Sequence, residues 1–371
     1  MGAAGDMAAL ELAVQAQKRV CLLESLETPL SSSHLCGGDV VFCETEMEPG
    51  GRDELVADLK AAAQGDCQED LLRSYADNAA NVYETLKSYG VEFASTAQVA
   101  YMSRPWEHKA ASGSGFALMS TLEERIGECG LIDVMTATRA RRLIVEDGRV
   151  VGVVAETADG PVSIGATDGV VVCTGGFTQN PQLAKAYGRK GSEFITPMTG
   201  KGATGDGLLM ALAAGAGVSY IGAGVTPTEP EIVADTVEGL GEAIKAKYPD
   251  LDPEAMAQTV AAYNQYVKDG EDLEFGRTNI SGTSGELLPI EEGPFYAVAC
   301  VPGTTHFNGG LKTDAGQRVE EGISGEPIDG LYAAGEVTGG FHGFGYMSAT
   351  AFGKALIHGV VAARSLLADA Q

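Results

Sequence analysis

The chain has 371 residues, of which 44% are hydrophobic and fifty are glycine. That length holds one large domain plus a smaller one, and the composition suits a globular α/β protein rich in tight turns. Its 51 acidic against 25 basic residues leave a formal net charge of −26, which repels phosphate backbones and anionic membranes and so excludes nucleic acid as a partner.

No apolar run reaches the roughly 18 residues that a membrane helix needs, so no membrane span is expected. The opening residues carry Asp6 and no basic stretch, unlike a signal peptide. Seven scattered cysteines form no CxxC or CxxCH. That excludes attached c-type haem and a cysteine-held cluster of familiar spacing, and it fits reduced thiols in a cytoplasmic protein. Nothing in the pattern reads as a metal site.

In chain order, Gly2-Ala3-Ala4-Gly5 leads into a helix over Asp6–Lys18 and a strand over Arg19–Glu24 that ends in an acid. Glycine turn, helix, strand and terminal acid form a dinucleotide fingerprint, with a plain αβ unit as the simpler alternative. Gly2 and Gly5 take the places of the second and third glycines, and Glu24 that of the acid on the adenosine ribose. The first glycine and its preceding hydrophobic strand are missing from the pattern. The expectation is an N-terminal truncation, with a strand missing or substituted beside this helix.

Glu54–Tyr89 has helical periodicity and stops at Gly90, followed by a short strand over Val91–Phe93. Tyr101–Gly115 carries Arg104, Trp106 and His108 ahead of a helix over Phe116–Cys129. Ile132–Ala137 reads as a strand. Arg142–Val145 and Val150–Val154 read as a hairpin around Asp147-Gly148. Val170–Val172 is fully apolar, as in a strand buried on both faces. After a stretch of helix runs and acidic turns, Pro294–Val298 and Thr304–Leu311 bring the chain back to the sheet. The run GLYAAGEVTGGFHGFGYMSATAFG, Gly330–Gly353, then gives strand, acid, glycine turn and the start of a helix over Ala349–Ala368.

This last run resembles the C-terminal FAD motif of the fumarate reductase/succinate dehydrogenase flavoprotein family, which includes 3-ketosteroid dehydrogenases. Thr174-Gly175-Gly176 is similar to that family's ATGG turn, and Thr204-Gly205-Asp206-Gly207 to its TGDG segment. Ser31–Gly38 is similar to its GGNSxxSGG loop through Ser33, Gly37 and Gly38. The resemblance implies a Rossmann-like FAD-binding domain of the three-layer ββα kind over 1–219 and 292–371, with a shortened α+β remnant of a substrate cap over 220–291. It implies that Glu336 holds a ribityl hydroxyl and that Val134 meets adenine through its backbone. Met347, Ser348 and Ala349 then face the flavin at a helix N-terminus, where free N–H groups favour negative charge. His34 is read as a surface loop residue, and Arg104 and His108 as structural or substrate-touching.

For chemistry, the resemblance implies an FAD-dependent oxidoreductase acting on an activated C=C or CH–CH bond. A small-molecule substrate and a separate electron carrier or donor complete it, since no second dinucleotide fingerprint is present. His306, in a segment similar to the family's H(H/T)TxGG, reaches substrate or is structural. His342 orients the glycine turn and His358 packs. Tyr346 stands where fumarate reductases carry a carboxylate-clamping arginine. It either polarises a substrate carbonyl or packs on the flavin. The cap segments that supply a substrate histidine, a Thr-Glu pair and the proton-donating arginine in fumarate reductases have no counterpart here. Arg277 is not assigned that role. The alternative is a truncated, catalytically impaired FAD scaffold, with a plain NAD-dependent dehydrogenase behind it.

Overall fold

The structure, a computed structural model, describes residues 1–188, 190–219, 232–278, 286–297 and 303–370. It divides into two units, Met1–Gly224 with Thr304–Gln371 and Val225–Gly303. The expected cap opens at Tyr220, and this residue and Val298 lie outside the described residues.

The larger unit begins with α1 (Ala3–Leu10), prolonged by a π turn over Glu11–Gln15, so helix starts three residues earlier than the sequence pattern predicts. All eight residues of α1 are buried. Then come β1 (Val20–Leu23), a short α2 (Ser32–Leu35) and β2 (Val40–Val41). The long helical stretch is two helices, α3 (Arg52–Ala62) and α4 (Glu69–Tyr89). In α4, Leu71, Tyr75, Ala79, Val82 and Leu86 recur at helical spacing and are all buried, the stripe by which the helix packs. Gly90, at φ +103°, ends it in the left-handed region.

β3 (Phe93–Ala97) and β4 (Glu107–Ala110) pair with β2 in one small antiparallel sheet. α5 (Gly115–Glu128) leads to β5 (Ile132–Met135), which pairs in parallel with β1 from Val20↔Ile132 to Leu23↔Met135. An antiparallel meander follows: β6 (Arg139–Glu146), β7 (Arg149–Thr157) and β8 (Gly160–Gly165). Asp147 and Gly148 make its first turn, both at positive φ, as a type I′ hairpin needs. After β9 (Val170–Val172), α6 (Pro181–Tyr187) and α7 (Asp206–Ala213), the chain leaves this unit.

It returns to form β10 (Arg318–Glu320), β11 (Pro327–Ala333) and α10 (Thr350–Asp369). β11 pairs in parallel with β9, Leu331↔Val170 to Ala333↔Val172, and antiparallel with β10. α10 lies directly on α1: a Cβ on Gly359 would come within 2.4 Å of the Ala4 carbonyl oxygen. Small residues at this crossing let the two backbones meet. By length and composition α10 is apolar enough to cross a bilayer, which corrects the expectation that no such run exists. In this fold 67% of that window is buried, because α10 is the core helix of the unit.

The smaller unit holds α8 (Val237–Lys247) and α9 (Pro253–Asp269). Thr236 caps α8 by accepting from the Gly239 amide at 3.0 Å, and Asp252 caps α9 ahead of Pro253. Strands Ile232–Ala234 and Phe295–Ala297 pair antiparallel. Arg277 lies over the Tyr263 ring at 5.6 Å.

Candidate functional site

In the larger unit, a groove of about 890 Å³ runs along the C-terminal ends of β1, β9 and β11. Strand ends of a parallel sheet are where backbone and loop groups converge on a ligand. The groove is lined by Gly2, Gly5, Glu24, Ser33, Gly37, Gly38, Thr174, Gly175, Asp206, Gly335, Glu336, Ser348, Ala349, His306 and Tyr346. Residues hundreds of positions apart in the chain are thus brought together. Val134, Gly176 and Met347 do not reach its wall. Val134 is 40% exposed on β5, where its backbone pairs with Leu22, and Asp133 lines the groove instead. Met347 is buried in the core.

At one end, Glu24 follows β1. One carboxylate oxygen accepts from the Leu26 amide at 2.8 Å and the other pairs with the Met1 ammonium. Ser33 Oγ accepts from the Ala3 amide at 3.2 Å, tying loop 31–38 to the start of α1. That loop presses backbone to backbone on α5. A Cβ on Gly38, at φ +85°, would lie 2.8 Å from the Ser114 carbonyl carbon. His34 is a correction: it is buried, not a surface residue. Its ring nitrogens meet Ser31 Oγ at 2.9 Å and Glu123 Oε1 at 3.1 Å, closing a capping box on α2.

In the middle, Thr174 Oγ1 accepts from the Gly207 amide at 3.2 Å, joining the turn after β9 to α7. Asp206 is held by Arg139, which donates from Nε at 2.7 Å and Nη2 at 2.9 Å, a bidentate pair. Arg139 also lines the groove, and sequence reading missed it because a lone arginine in a hairpin carries no pattern.

At the other end, the half-buried Glu336 carboxyl accepts from the Phe307 amide at 3.3 Å. A Cβ on Gly176 would fall 2.2 Å from its Oε1, so Gly176 serves by making room. Burial pushes the Glu336 carboxyl up to about 7, with the Phe307 and Gly176 amides and Lys354 pulling it back. Lys354 on α10 is buried beneath, donating from Nζ to the Thr338 carbonyl at 2.7 Å. Burial pushes its ammonium down to about 7, opposed by Glu336. Sequence reading missed Lys354 as well.

His306 and Tyr346 come together with ring centroids 4.6 Å apart. Asn308 brings them there: its Nδ2 donates to the Gly343 carbonyl at 3.2 Å and the Gly345 carbonyl at 2.9 Å, fastening one segment to the other. Burial lowers the His306 ring to about 4, so it is neutral at pH 7. Enclosure raises the Tyr346 hydroxyl to about 12, opposed by the Ala351 amide, so it stays protonated. His342, buried, sits 5.2 Å from Tyr346 and shares a 3.0 Å hydrogen bond with Thr350 Oγ1 at the first turn of α10. It holds the glycine turn, as expected. His358 is fully buried on α10, beside Tyr75 and Phe341. Arg104 and His108 point elsewhere: Arg104 pairs with Glu48, and His108 meets Thr45 Oγ1 at 2.8 Å.

An elongated dinucleotide fits this groove on three observations. Its volume lies within the 300–1,000 Å³ of ordinary small-molecule and cofactor sites. Gly38 removes a side chain where a Cβ would strike the Ser114 backbone, and two acids, Glu24 after β1 and Glu336 after β11, line the groove's two ends.

A family profile described as an FAD binding domain matches residues 1–228 and 229–351. The acrylate reductase flavoprotein subunit of Shewanella woodyi is 24% identical over 467 aligned residues, covering 99% of this chain and 90% of that protein. The open conformation of a flavocytochrome c3 fumarate reductase superposes with TM-score 0.80 at 24% identity, over 100% of this chain and 77% of the other. The 3-ketosteroid-Δ4-(5α)-dehydrogenase of Rhodococcus jostii superposes with TM-score 0.74 at 21% identity, over 98% and 95%.

Proposed function

The chain belongs to the FAD binding domain family, and from that premise we propose that it is an FAD-dependent reductase or dehydrogenase acting on an activated C=C or CH–CH bond of a small unsaturated carbonyl or carboxylate compound. Bound FAD would supply hydride exchange with a substrate carbon; the protein supplies position, electrostatics and a proton. The observation that carries the reading is the His306–Tyr346 pair, 4.6 Å apart on the wall that holds Glu336.

In this reading Glu24 takes the adenosine ribose and Glu336 a ribityl hydroxyl. Ser33, Gly37, Gly38, Thr174 and Gly175 line the phosphates, with Gly2 and Gly5 at the first turn. Asp206 is placed through Arg139, Gly335 gives the strand its turn, and Ser348 and Ala349 present the start of α10. Tyr346, protonated at neutral pH, donates a hydrogen bond to a substrate carbonyl, and neutral His306 orients the same group. A carbonyl matches these donors better than a dicarboxylate does, because a tyrosine hydroxyl offers no charged fork. Electrons pass to or from a separate carrier, and the Val225–Gly303 unit is a remnant of a substrate cap.

Tyr346→Phe in the FAD-loaded protein tests this. Turnover of an enone panel should fall about 10²-fold or more, the usual worth of a positioned proton donor, while FAD binding holds. Unchanged turnover excludes the hydroxyl role. A second reading, an impaired FAD scaffold, is favoured by β1 and β9 each pairing on one edge alone among the described residues; FAD binding without turnover of any enone or enoate would select it.

A further inference from the structure

Glu107 is a buried acid on the groove wall. It opens β4, paired with Val41 on one side and Ala97 on the other. It is 3% exposed, yet it lines the groove together with Ser348 and Tyr346. Its two carboxylate oxygens have different neighbours. Oε1 accepts from Ser348 Oγ at 3.3 Å, and Oε2 lies 2.8 Å from Lys109 Nζ. Glu107 and Lys109 stand two apart on one strand and so share a face of the sheet. Lys109 Nζ also donates to Asp39 Oδ2 at 2.7 Å, just after loop 31–38. The Lys109 side chain is 38% exposed and that of Glu107 4%, so the row Asp39, Lys109, Glu107, Ser348 runs from solvent into the groove.

A carboxylate in this position is costly, and packing alone does not ask for it, since an apolar side chain of the same volume would serve the wall as well. An ionisable group buried beside a cleft is a candidate for chemistry. Burial first, and then electrostatic interaction with Cys36, Glu107 and Glu336, pushes the Tyr346 hydroxyl up to about 12, so Glu107 lies within electrostatic reach of that hydroxyl. The other polar ring beside Tyr346 has no proton to spare. Burial lowers His306 to about 4, and at neutral pH it carries no charge.

We propose that Glu107 returns a proton to Tyr346 after each turnover, drawing it from solvent at Lys109 and Asp39 and passing it through the Ser348 hydroxyl. The inference rests on the reaction assigned above. In the reductive direction, hydride reaches one carbon of the C=C bond and leaves an electron pair on the substrate carbonyl oxygen. Tyr346 gives that oxygen its hydroxyl proton, the enol becomes the saturated ketone, and a phenolate remains. Lys109 passes a proton to Glu107 Oε2. The carboxyl, turned over, hands it to Ser348 Oγ while the Ser348 hydroxyl proton moves to Tyr346, and Lys109 recovers a proton from water. One hydride and one solvent proton are added across the bond, and the oxidative direction runs the same steps backwards. A phenolate whose hydroxyl lies near 12 is basic enough to draw the proton inward.

Stopped-flow mixing of the dithionite-reduced, FAD-loaded full chain with cyclohex-2-enone, beside steady-state turnover of the same enone, tests it. In Glu107→Gln the first turnover, read as flavin reoxidation, should keep the wild-type rate because Tyr346 starts with its proton. Steady-state turnover should fall about 10²-fold and gain a solvent deuterium isotope effect that the first turnover lacks. FAD affinity and Tm should hold. Formate should restore steady-state turnover to Glu107→Ala, which leaves room for it, and not to Glu107→Gln. Ser348→Ala keeps the buried acid and should show the same split between first and later turnovers, by about tenfold; it decides the matter if the Glu107 variants fail to fold. Equal losses in both phases would make Glu107 a support of the wall and overturn the relay, as would unchanged steady-state turnover. A wild-type chain that reoxidises with no enone removes the assigned reaction and the relay with it, whereas wild-type turnover with unsplit variants removes the relay alone.

Discussion

The two ends of the groove are built on opposite terms. At the Glu24 end the carboxylate is already answered by the protein, through the Leu26 amide, the Ser25 hydroxyl and the Met1 ammonium. At the Glu336 end only backbone amides, those of Phe307 and Gly176, reach the carboxyl, Lys354 is forced toward neutrality beneath it, and the nearby His306 ring is neutral. A ligand at the first end exchanges one set of bonds for another. A ligand at the second supplies partners that the folded chain lacks, so the second end should dominate affinity.

The largest expected effect follows directly. Glu336→Gln should weaken FAD binding by about 10- to 100-fold, the worth of a hydrogen bond to a charged group; flavin fluorescence titration reads it. Equal losses in Glu336→Gln and Glu24→Gln would erase the contrast between the ends. Asn308→Ala comes next, because it leaves the Gly343 and Gly345 carbonyls without their donor. Stability should drop by about 1–3 kcal/mol, and kcat should fall more than KM rises as Tyr346 drifts from His306. Intact kcat would show that the pair does not depend on this tie.

Acidification gives an effect of about 2 kcal/mol. Burial lowers the folded His306 ring to about 4, against about 6.5 unfolded. The unfolded chain therefore takes up a proton first, and stability that is complete above pH 6.5 is lost as pH falls toward 4. His342 and His358 are lowered by burial and act in the same direction. Glu336, raised to about 7, works the other way, losing its contribution as pH rises from about 4.5 through 7. His306→Gln should make the fall in Tm between pH 7 and pH 5 shallower. An unchanged slope would place the His306 ring in a solvated setting. The smallest effect belongs to Glu24→Gln, expected to shift FAD binding by less than about threefold, since a ligand there only exchanges bonds that the Glu24 carboxylate already makes within the protein.

Much of this was legible in the chain because backbone-shaping residues announce themselves. Gly38, Gly175 and Gly335 stand at positive φ, and the apolar run of β9 signals a strand covered on both faces. The hairpin turn at Asp147-Gly148 was equally plain. What stayed hidden was decided by partners far away in sequence. Nothing local marks Asn308 as the tie that sets Tyr346 against His306, or Lys354 as a cation buried under Glu336. His34 read as a surface residue because its loop is polar, whereas Glu123, 89 positions on, provides the reason for its burial. α10 escaped notice as a membrane-length segment because Lys354 and Arg364 interrupt its run; inside the fold Lys354 bonds the Thr338 carbonyl and Arg364 pairs with Glu11.

The contact of Gly359 with the Ala4 backbone has a consequence for synthesis. The first helix is buried chiefly by the last one, so a nascent chain leaving the ribosome exposes Ala3–Leu10 until some 350 further residues have been made. Such distant pairing makes late, all-at-once closure the natural route and leaves an apolar helix to be shielded meanwhile. Translation that stops short of α10 would strand the opening segment with no surface to bury it.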